Sequence, residues 1–387
     1  MKSKFNVILM LETSRRCGRE ILRGCARYSR THGPWNIQRT QPYYRTNSGK
    51  KKKNIDFDLL NADGVVFVEP ETPEKVKATG LPAVAIDVEG LIDGVINVIG
   101  NCEKIGQMGA KHFLDRGFEH FAFCGFDDIH WSRERGDAYT NYLRNAGHKV
   151  FHYKKRPNTG RSWAREKPHL TKWVVNLPRP IAVMACNDDR ADNIAEVCKD
   201  CEIRVPSEIA VLGVDNDDLV CEITDPPISS ISMNFEKAGF EAAMMLDRWM
   251  RGENMANATI ISEPTRIIVR QSTDILAIED PEVSEAIRFI KDHVRDNIQV
   301  ADVVENASLS RRMLENRFKA AMGTTIGSQI RTLRANHIAN LLLETNMSIL
   351  EISYLMGFNS QANLSRYFQK EFKMNPARYR NQERLTP

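Results

Sequence analysis

Two nine-residue stretches, fifty positions apart, share the pattern S-x-x-x-L-x-x-x-F: Ser310-Arg-Arg-Met-Leu314-Glu-Asn-Arg-Phe318 and Ser360-Gln-Ala-Asn-Leu364-Ser-Arg-Tyr-Phe368. On a helix the serine falls at the N-cap, and Leu and Phe, four residues apart, share one buried face. The residues between them point outward, and their types suit the edges of DNA bases. The first stretch offers Arg311, Arg312, Glu315 and Asn316, and the second Gln361, Asn363 and Arg366. Arginine can pair with both acceptors of guanine, Asn and Gln with adenine, and Glu with the cytosine amino group. Arg317, Lys319, Lys370 and Arg380 suit phosphate oxygens, which fix register without reading sequence. For any one of these side chains, solvated helix surface is the alternative.

The elements that must position them are equally regular. Each stretch follows a short segment with its own apolar face, Val300, Val303 and Val304 in the first case and Ile349, Ile352 and Leu355 in the second. Tight turns join them, Ala307-Ser308-Leu309 and Met356-Gly357-Phe358-Asn359, where Gly357 can take a positive φ. Helix, turn and outward-facing helix make a helix-turn-helix, and there are two. Between them residues 326 to 344 carry Ile330, Leu333, Ile338, Leu341 and Leu342 near helical spacing. A helix of that length spans roughly 28 Å, of the order of the ~34 Å between successive major grooves.

This region, residues 285 to 380, resembles the AraC/XylS family of transcription regulators, most specifically in GFNSQANLSRYFQKEFKMNPARYR from Gly357 to Arg380. It departs from the family where G-x-[ST]-P usually follows the second reading helix: here Lys373, Met374 and Asn375 precede Pro376. The charge agrees with a polyanionic partner. The chain carries a net +4, and the whole excess lies in residues 281 to 387, with 15 Lys and Arg against 11 Asp and Glu.

Residues 5 to about 270 alternate apolar runs with helical stretches, the rhythm of parallel α/β units. VILML from Val7, GVVFV from Gly64, PAVAID from Pro82, HFAFCGF from His120, IAVMACND from Ile181 and IAVLGVDN from Ile209 are continuous apolar segments, as strands covered on both faces should be. A helix from about Gly106 to Arg116, with Met108, His112 and Phe113 on one side, ends at Gly117. Ligands of such sheets bind beyond the carboxyl ends of the strands, where Asn187 and Asp215 fall. Helix capping by Asn187 or Asp188, and a turn at Asp215-Asn216-Asp217-Asp218, are the structural alternatives.

Asn101 to Gly125, IAVMACNDDRA and IAVLGVDN together resemble the sugar-sensing core of the LacI/GalR repressors, two lobes that close on a ligand. The resemblance implies that Asp215, Asn187 and Arg135, in WSRERGDAY, bind sugar hydroxyls. Trp131 is placed to stack on a sugar ring, or to serve as a core or hinge aromatic. The loop Glu12 to Arg16 faces the same cleft, with nothing to select a residue.

The expected fold class is an α/β two-lobed, periplasmic-binding-protein-like sensor over residues 1 to 275, a linker over 276 to 284, and an all-α double helix-turn-helix domain over 285 to 387. Asp280-Pro281 marks the boundary. A LacI-like core ahead of an AraC-type reader, with LGVDNDDL, Ser229-Ser230-Ile231 and EDPEVSEAIRFIKDHV, resembles the xylose-operon class of activators. That implies double-stranded DNA as partner and a pentose effector, xylose first. The LacI resemblance implies a homodimer, and an activator implies RNA polymerase as a further partner.

Other classes find little support. No Ser/His/Asp order, P-loop or dinucleotide fingerprint stands out, so neither an enzyme nor a cofactor is expected. A plain sugar-binding module would leave the C-terminal repeat unexplained. Cys198-Lys-Asp-Cys201 lacks a second ligand pair, so no metal is expected. Eight scattered cysteines read as buried free thiols of a reducing compartment. With neither a signal peptide nor an apolar span, the cytoplasm is the expected location. The basic run GKKKN from Gly49 is expected to be a solvated loop.

Overall fold

Short apolar runs too brief for helices become strands, and the amphipathic stretches between them cover both sheet faces. The computed structural model describes residues 4–39, 61–68, 73–86, 90–154, 162–274, 280–345 and 347–385. GKKKN therefore lies outside the described residues. The chain forms two units, residues 1–277 and 278–387.

The first unit holds two six-stranded sheets. In the first lobe, strands β1 (Asn6–Met10), β2 (Asn36–Arg39), β3 (Gly64–Phe67), β4 (Ala83–Ile86), β5 (Ile96–Gly100) and β11 (Thr259–Ser262) lie in the order β11-β5-β4-β3-β1-β2. Every pairing there is parallel. The second lobe holds β6 (Phe121–Cys124), β7 (Val150–His152), β8 (Ile181–Ala185), β9 (Ile209–Asp215), β10 (Ser229–Met233) and β12 (Pro264–Ile268), in the order β12-β10-β9-β8-β6-β7. Only β10 and β12 run antiparallel. The chain passes between the lobes after β5, after β10 and after β11, so the connections between them are three. Strands β3, β4, β6 and β8 are buried at every residue, which is why they read as unbroken apolar runs rather than alternating ones.

Helices α1 (Arg16–His32), α2 (Pro73–Thr79), α3 (Cys102–Leu114), α4 (His130–Asn145), α5 (Trp163–Val175), α6 (Asp188–Asp200), α7 (Asp218–Ile223) and α8 (Phe235–Met250) flank the sheets. Helices α1 and α8 cross with almost no gap. A Cβ on Gly24 would lie 2.2 Å from Glu236 O, and one on Gly239 would lie 2.4 Å from Ile21 O, so the crossing requires glycine on both sides. Helix α3 starts earlier than its apolar pattern suggests, because Asn101 caps it through Lys104 N.

The second unit is helical: α9 (Pro281–Asp292), α10 (Val300–Glu305), α11 (Arg311–Met322), α12 (Ile326–Glu344), α13 (Ile349–Leu355), α14 (Gln361–Phe372) and α15 (Pro376–Leu385). The expected linker over 276 to 284 is shorter at its far end. Asp280 caps α9 through Glu282 N and Val283 N, and Pro281 occupies the first turn, where its missing N–H costs nothing. Two small cores form. Leu314 and Phe318 of α11 pack with Val283, Ile287, Val303 and Ile330, while Leu364 and Phe368 of α14 pack with Ile338, Leu342, Ile352 and Met356. Helix α12 serves the first core with its amino-terminal half and the second with the remainder. It is the strut that the repeat required.

Candidate functional site

In each sheet the strand order reverses beside one strand, β1 in the first lobe and β6 in the second. Loops leaving β1 and β8 therefore end at switch points, the place where open α/β sheets bind ligands. The two loops meet: Arg15 Nε donates to Asp189 Oδ2 at 2.7 Å, within an ion pair across the lobes.

Arg135, on the second turn of α4, is 2% exposed. Its Nη1 donates to Cys186 O at 2.6 Å and its Nη2 to Asp215 Oδ1 at 3.3 Å, which joins the ends of β8 and β9. Asp215 has φ +96° and Asn216 φ +50°, both in the left-handed region that costs a side-chain-bearing residue about 1–3 kcal/mol. That conformation turns the Asp215 carboxylate back toward the cleft. Burial pushes its carboxyl above the usual range, and the Arg135 guanidinium pulls it back.

What holds this loop is a residue that sequence reasoning treated only as a possible cap. Asp188 is 3% exposed. It accepts from Asp217 N at 2.6 Å and from Ser230 Oγ at 2.5 Å, while Ser230 Oγ accepts from Asn216 N at 2.9 Å. Burial, then the charge of Asp215, push the Asp188 carboxyl well above the usual range. Gly213 makes the room, since a Cβ there would sit 2.2 Å from Asp188 Oδ1.

Asn187 serves as the N-cap of α6, its Oδ1 accepting from Arg190 N at 3.0 Å, so the capping alternative is realised. Capping uses the oxygen alone. The Nδ2 group has no hydrogen-bond partner among the described residues, and Asn187 still lines a cavity with Arg15, Arg16, Asp189, Asp215 and Asp217.

The lobes are also joined through Asp217. Its carboxylate accepts from Arg16 N at 2.7 Å, the first open N–H of α1, and from Arg19 Nη2 at 2.9 Å. Arg16 Nη1 donates to Asn216 O at 2.7 Å. A carboxylate from one lobe thus caps a helix of the other and meets its dipole. Of the loop Glu12 to Arg16, Arg15 and Arg16 are the residues selected.

Trp131 stands slightly apart. Its ring lies 4.7 Å from the Arg135 guanidinium carbon and packs on the core shared by the two lobes. With Gly90, Leu91, Ile99, Gly100, His130 and Glu134 it lines a cavity of about 380 Å³, whereas the cavity lined by Asn187 and Asp215 is about 40 Å³. Arg135 connects Trp131 with Asp215. Among the described residues no cluster of three His, Cys, Asp or Glu could hold a metal ion.

In the helical unit Arg311, Arg312, Asn316 and Lys319 are exposed on α11, as are Gln361, Arg366 and Lys370 on α14. Asn363 and Glu315 are half-buried. Arg311 pairs with Glu315 at 3.0 Å, and Arg366 donates to Asn363 Oδ1 at 2.6 Å. Ser360 caps α14 through Asn363 N, while Ser310 holds the N-cap position without a side-chain bond. Lys373 takes φ +56° where the first repeat has Gly323 at φ +64°, so the turn keeps its shape despite the changed residue.

Two of the residues expected at phosphates also have partners within the fold. Arg380 donates to Leu342 O at 2.9 Å and to Met347 O at 2.6 Å, tying α15 to the end of α12, because the last carbonyls of a helix need donors. Those two bonds give it a structural role in the helical unit. Arg317 pairs with Asp280 at 3.4 Å yet remains about half exposed.

Residues 110–273 match the periplasmic binding protein-like domain, and residues 303–382 match a helix-turn-helix domain. The xylose operon regulatory protein of Haemophilus influenzae is 26% identical over 97% of this chain and 98% of its own length. That of Escherichia coli K12 is 30% identical over 70% of each. The chain belongs to the xylose operon regulatory protein family. A solved structure described as a xylose-binding transcription activator shares the fold over 98% of both chains, with a TM-score of 0.73 and 24% identity.

Members of this family are transcription regulators, and the two units fit that role: a sugar sensor of the periplasmic-binding type and an AraC/XylS-type DNA reader. No described helix is long and apolar enough to cross a membrane.

One further feature was illegible in the sequence. Arg334, midway along α12 and 6% exposed, donates to Asn297 Oδ1 at 2.8 Å and also to Met356 O, and it lies 4.7 Å from the Phe358 ring. It locks the second turn to the loop before α10. Nothing in its flanking residues marks it as a buried arginine.

Proposed function

We propose that the chain is a transcription activator whose effector is D-xylose or a closely related pentose, held by Arg135, Asp215 and Asn187. Trp131 packs against Arg135 and offers the apolar face of a sugar ring a partner. The observation that carries the reading is Arg135, buried and fixed on Cys186 O and Asp215 at the strand ends. A guanidinium, a carboxylate and an amide suit a cluster of vicinal hydroxyls, and a site built so discriminates strongly against an analogue lacking one of them.

Ligand binding in the cleft favours the closed pairing of the lobes, which Arg15, Arg16 and Arg19 already support from one side. In a homodimer that pairing biases how the readers are presented to DNA. Arg312, Asn316, Gln361 and Arg366 contact base edges, with Arg311, Glu315 and Asn363 beside them, and Lys319, Lys370 and Arg317 hold phosphates. RNA polymerase is the further partner, and the cytoplasm the location.

A thermal unfolding panel of monosaccharides tests the reading. The effector at a hundred times its dissociation constant should add about 2.7 kcal/mol. If no monosaccharide raises the Tm, or if the pentose that does so leaves DNA affinity unchanged at matched salt, the proposal fails.

A further inference from the structure

The last described stretch of the sensor, Arg270 to Thr273, is bonded into the second-lobe sheet. Ser272 Oγ donates to Val211 O at 2.6 Å and accepts from Ser229 N at 2.8 Å. Ser229 Oγ accepts from Arg270 N and donates to Arg270 O, each at 2.8 Å. Thr273 Oγ lies 2.9 Å from His112 Nε2, and its carbonyl accepts from Arg116 Nε at 3.0 Å. Ser229, Ser272 and Thr273 are 0% exposed. Hydroxyls buried this deeply require every one of these bonds, which a simple tether to the next unit would not need.

The neighbour of Ser229 on β10 is Ser230, which points to the opposite face of the sheet. Ser230 holds Asn216 N, as described above, so one strand carries the ligand loop on one side and the exit segment on the other. Among the described residues, the Arg270 side chain joins the two directly. Arg270 Nη1 donates to Asn216 Oδ1 at 2.9 Å and to Ile228 O at 3.0 Å, while its own backbone opens the exit segment.

The geometry points to Arg270 as a positioning residue that couples the Asp215–Asp217 loop to the exit segment, and through it the sugar site to the DNA reader. This rests on the sugar-responsive reading above. The loop is a suitable element because two successive residues sit at positive φ, a conformation kept only while its bonds persist. A ligand that draws Asp215 from Arg135 changes the bonding of residue 215. The Asn216 amide is next in the chain, and the group bonded to its oxygen is Arg270. Coupling requires only that this bond differ in strength between the ligand-free and liganded states.

The test uses the full chain, D-xylose, and a DNA duplex selected by the unaltered protein from a random pool. D-xylose is expected to change DNA affinity by a factor in the usual range for coupled sites, about 5- to 150-fold. R270M removes the donors and keeps most of the stem. It should still bind D-xylose, while the factor falls close to one, and R270K should restore part of it. A factor in R270M equal to that of the unaltered protein overturns the proposal.

Hydrogen exchange on the unaltered protein gives a second reading that does not depend on a variant folding. D-xylose should slow exchange at the Ser272 and Thr273 amides, and unchanged exchange there also overturns the coupling. Loss of any D-xylose effect in the unaltered protein removes the sugar reading and the relay together. An effect that persists in R270M removes the relay alone.

Discussion

The ligand cleft and the DNA-reading face use the same residue types in opposite ways. In the cleft, Arg135, Asp188, Asp215 and Asp217 are paired with other protein groups. On α11 and α14 the arginines, asparagines and glutamine lie largely in water, and apart from the Arg317–Asp280 pair their side-chain contacts stay within one helical turn. The difference follows from the partners. A small neutral sugar gives few contacts, so its site must be ordered in advance and the ordering cost met within the fold. A duplex presents a long row of charges, and solvated side chains that can adapt suffice to meet it.

Removal of one side chain from each region breaks this contrast most directly. Asp215→Ala should abolish the stabilisation by D-xylose, about 2.7 kcal/mol at a hundredfold excess over the dissociation constant, seen as loss of the Tm shift. Basal DNA affinity should be unchanged. On the reading face, Arg312→Ala and Arg366→Ala should each weaken binding to the selected site by about 1–3 kcal/mol and relax preference at one base position. Their stability should move by less than ~0.5 kcal/mol, because exposed residues carry little of the fold. A large loss of stability in either would show that the face is structural.

The pH dependence of the sensor sharpens the same point. Burial holds His112 at about 3, far below its ordinary value, so the folded chain refuses a proton that the unfolded chain accepts. Its contribution is complete above the unfolded pKa of about 6.5 and shrinks as pH falls from there toward 3. Denaturant unfolding at pH 6.5 and pH 5 should differ by about 2 kcal/mol through this residue. Asp188, whose carboxyl is raised, acts with the opposite sign, since stability from it grows as pH falls into its range. Comparison of H112N with the unaltered chain isolates the histidine, and an equal slope in both would refute its burial as a neutral ring.

The smallest effect separates two cations of the helical unit. Lys370→Ala should lower the dependence of log Kd on log salt by about one, as expected for one phosphate contact. Arg380→Ala should leave that slope alone and lower stability by about 1–3 kcal/mol, since it leaves the Leu342 and Met347 carbonyls without this donor. If the two variants exchanged these behaviours, Arg380 would hold a phosphate and Lys370 would not.

Local pattern carried the helical unit well, because the Leu and Phe of each repeat are four residues apart and that spacing alone defines a buried face. Helix α12 runs over the residues the pattern gave, 326 to 344. Arg380 and Arg334 were not legible. Both are basic residues whose partners are carbonyls 33 to 38 and 22 residues distant in the chain, and a carbonyl leaves no trace in a residue's type. In the sensor, apolar runs located the strands, and strand ends located Asn187 and Asp215. The roles of Asp188 and Ser230 stayed hidden because the bond between them spans 42 positions.

Sequence by itself determined the element types, the repeated outward-facing helix, the strand-end position of Asn187 and Asp215 and the free thiols, since all of these follow from neighbours within a few residues. Tertiary structure alone decided which polar groups are paired: Asp217 with the first turn of α1, Arg135 with Asp215, Arg270 with Asn216. The reason is distance along the chain. Periodicity reports which face of an element is buried, but a hydrogen bond between two elements depends on the order and register of strands that only the folded sheets establish.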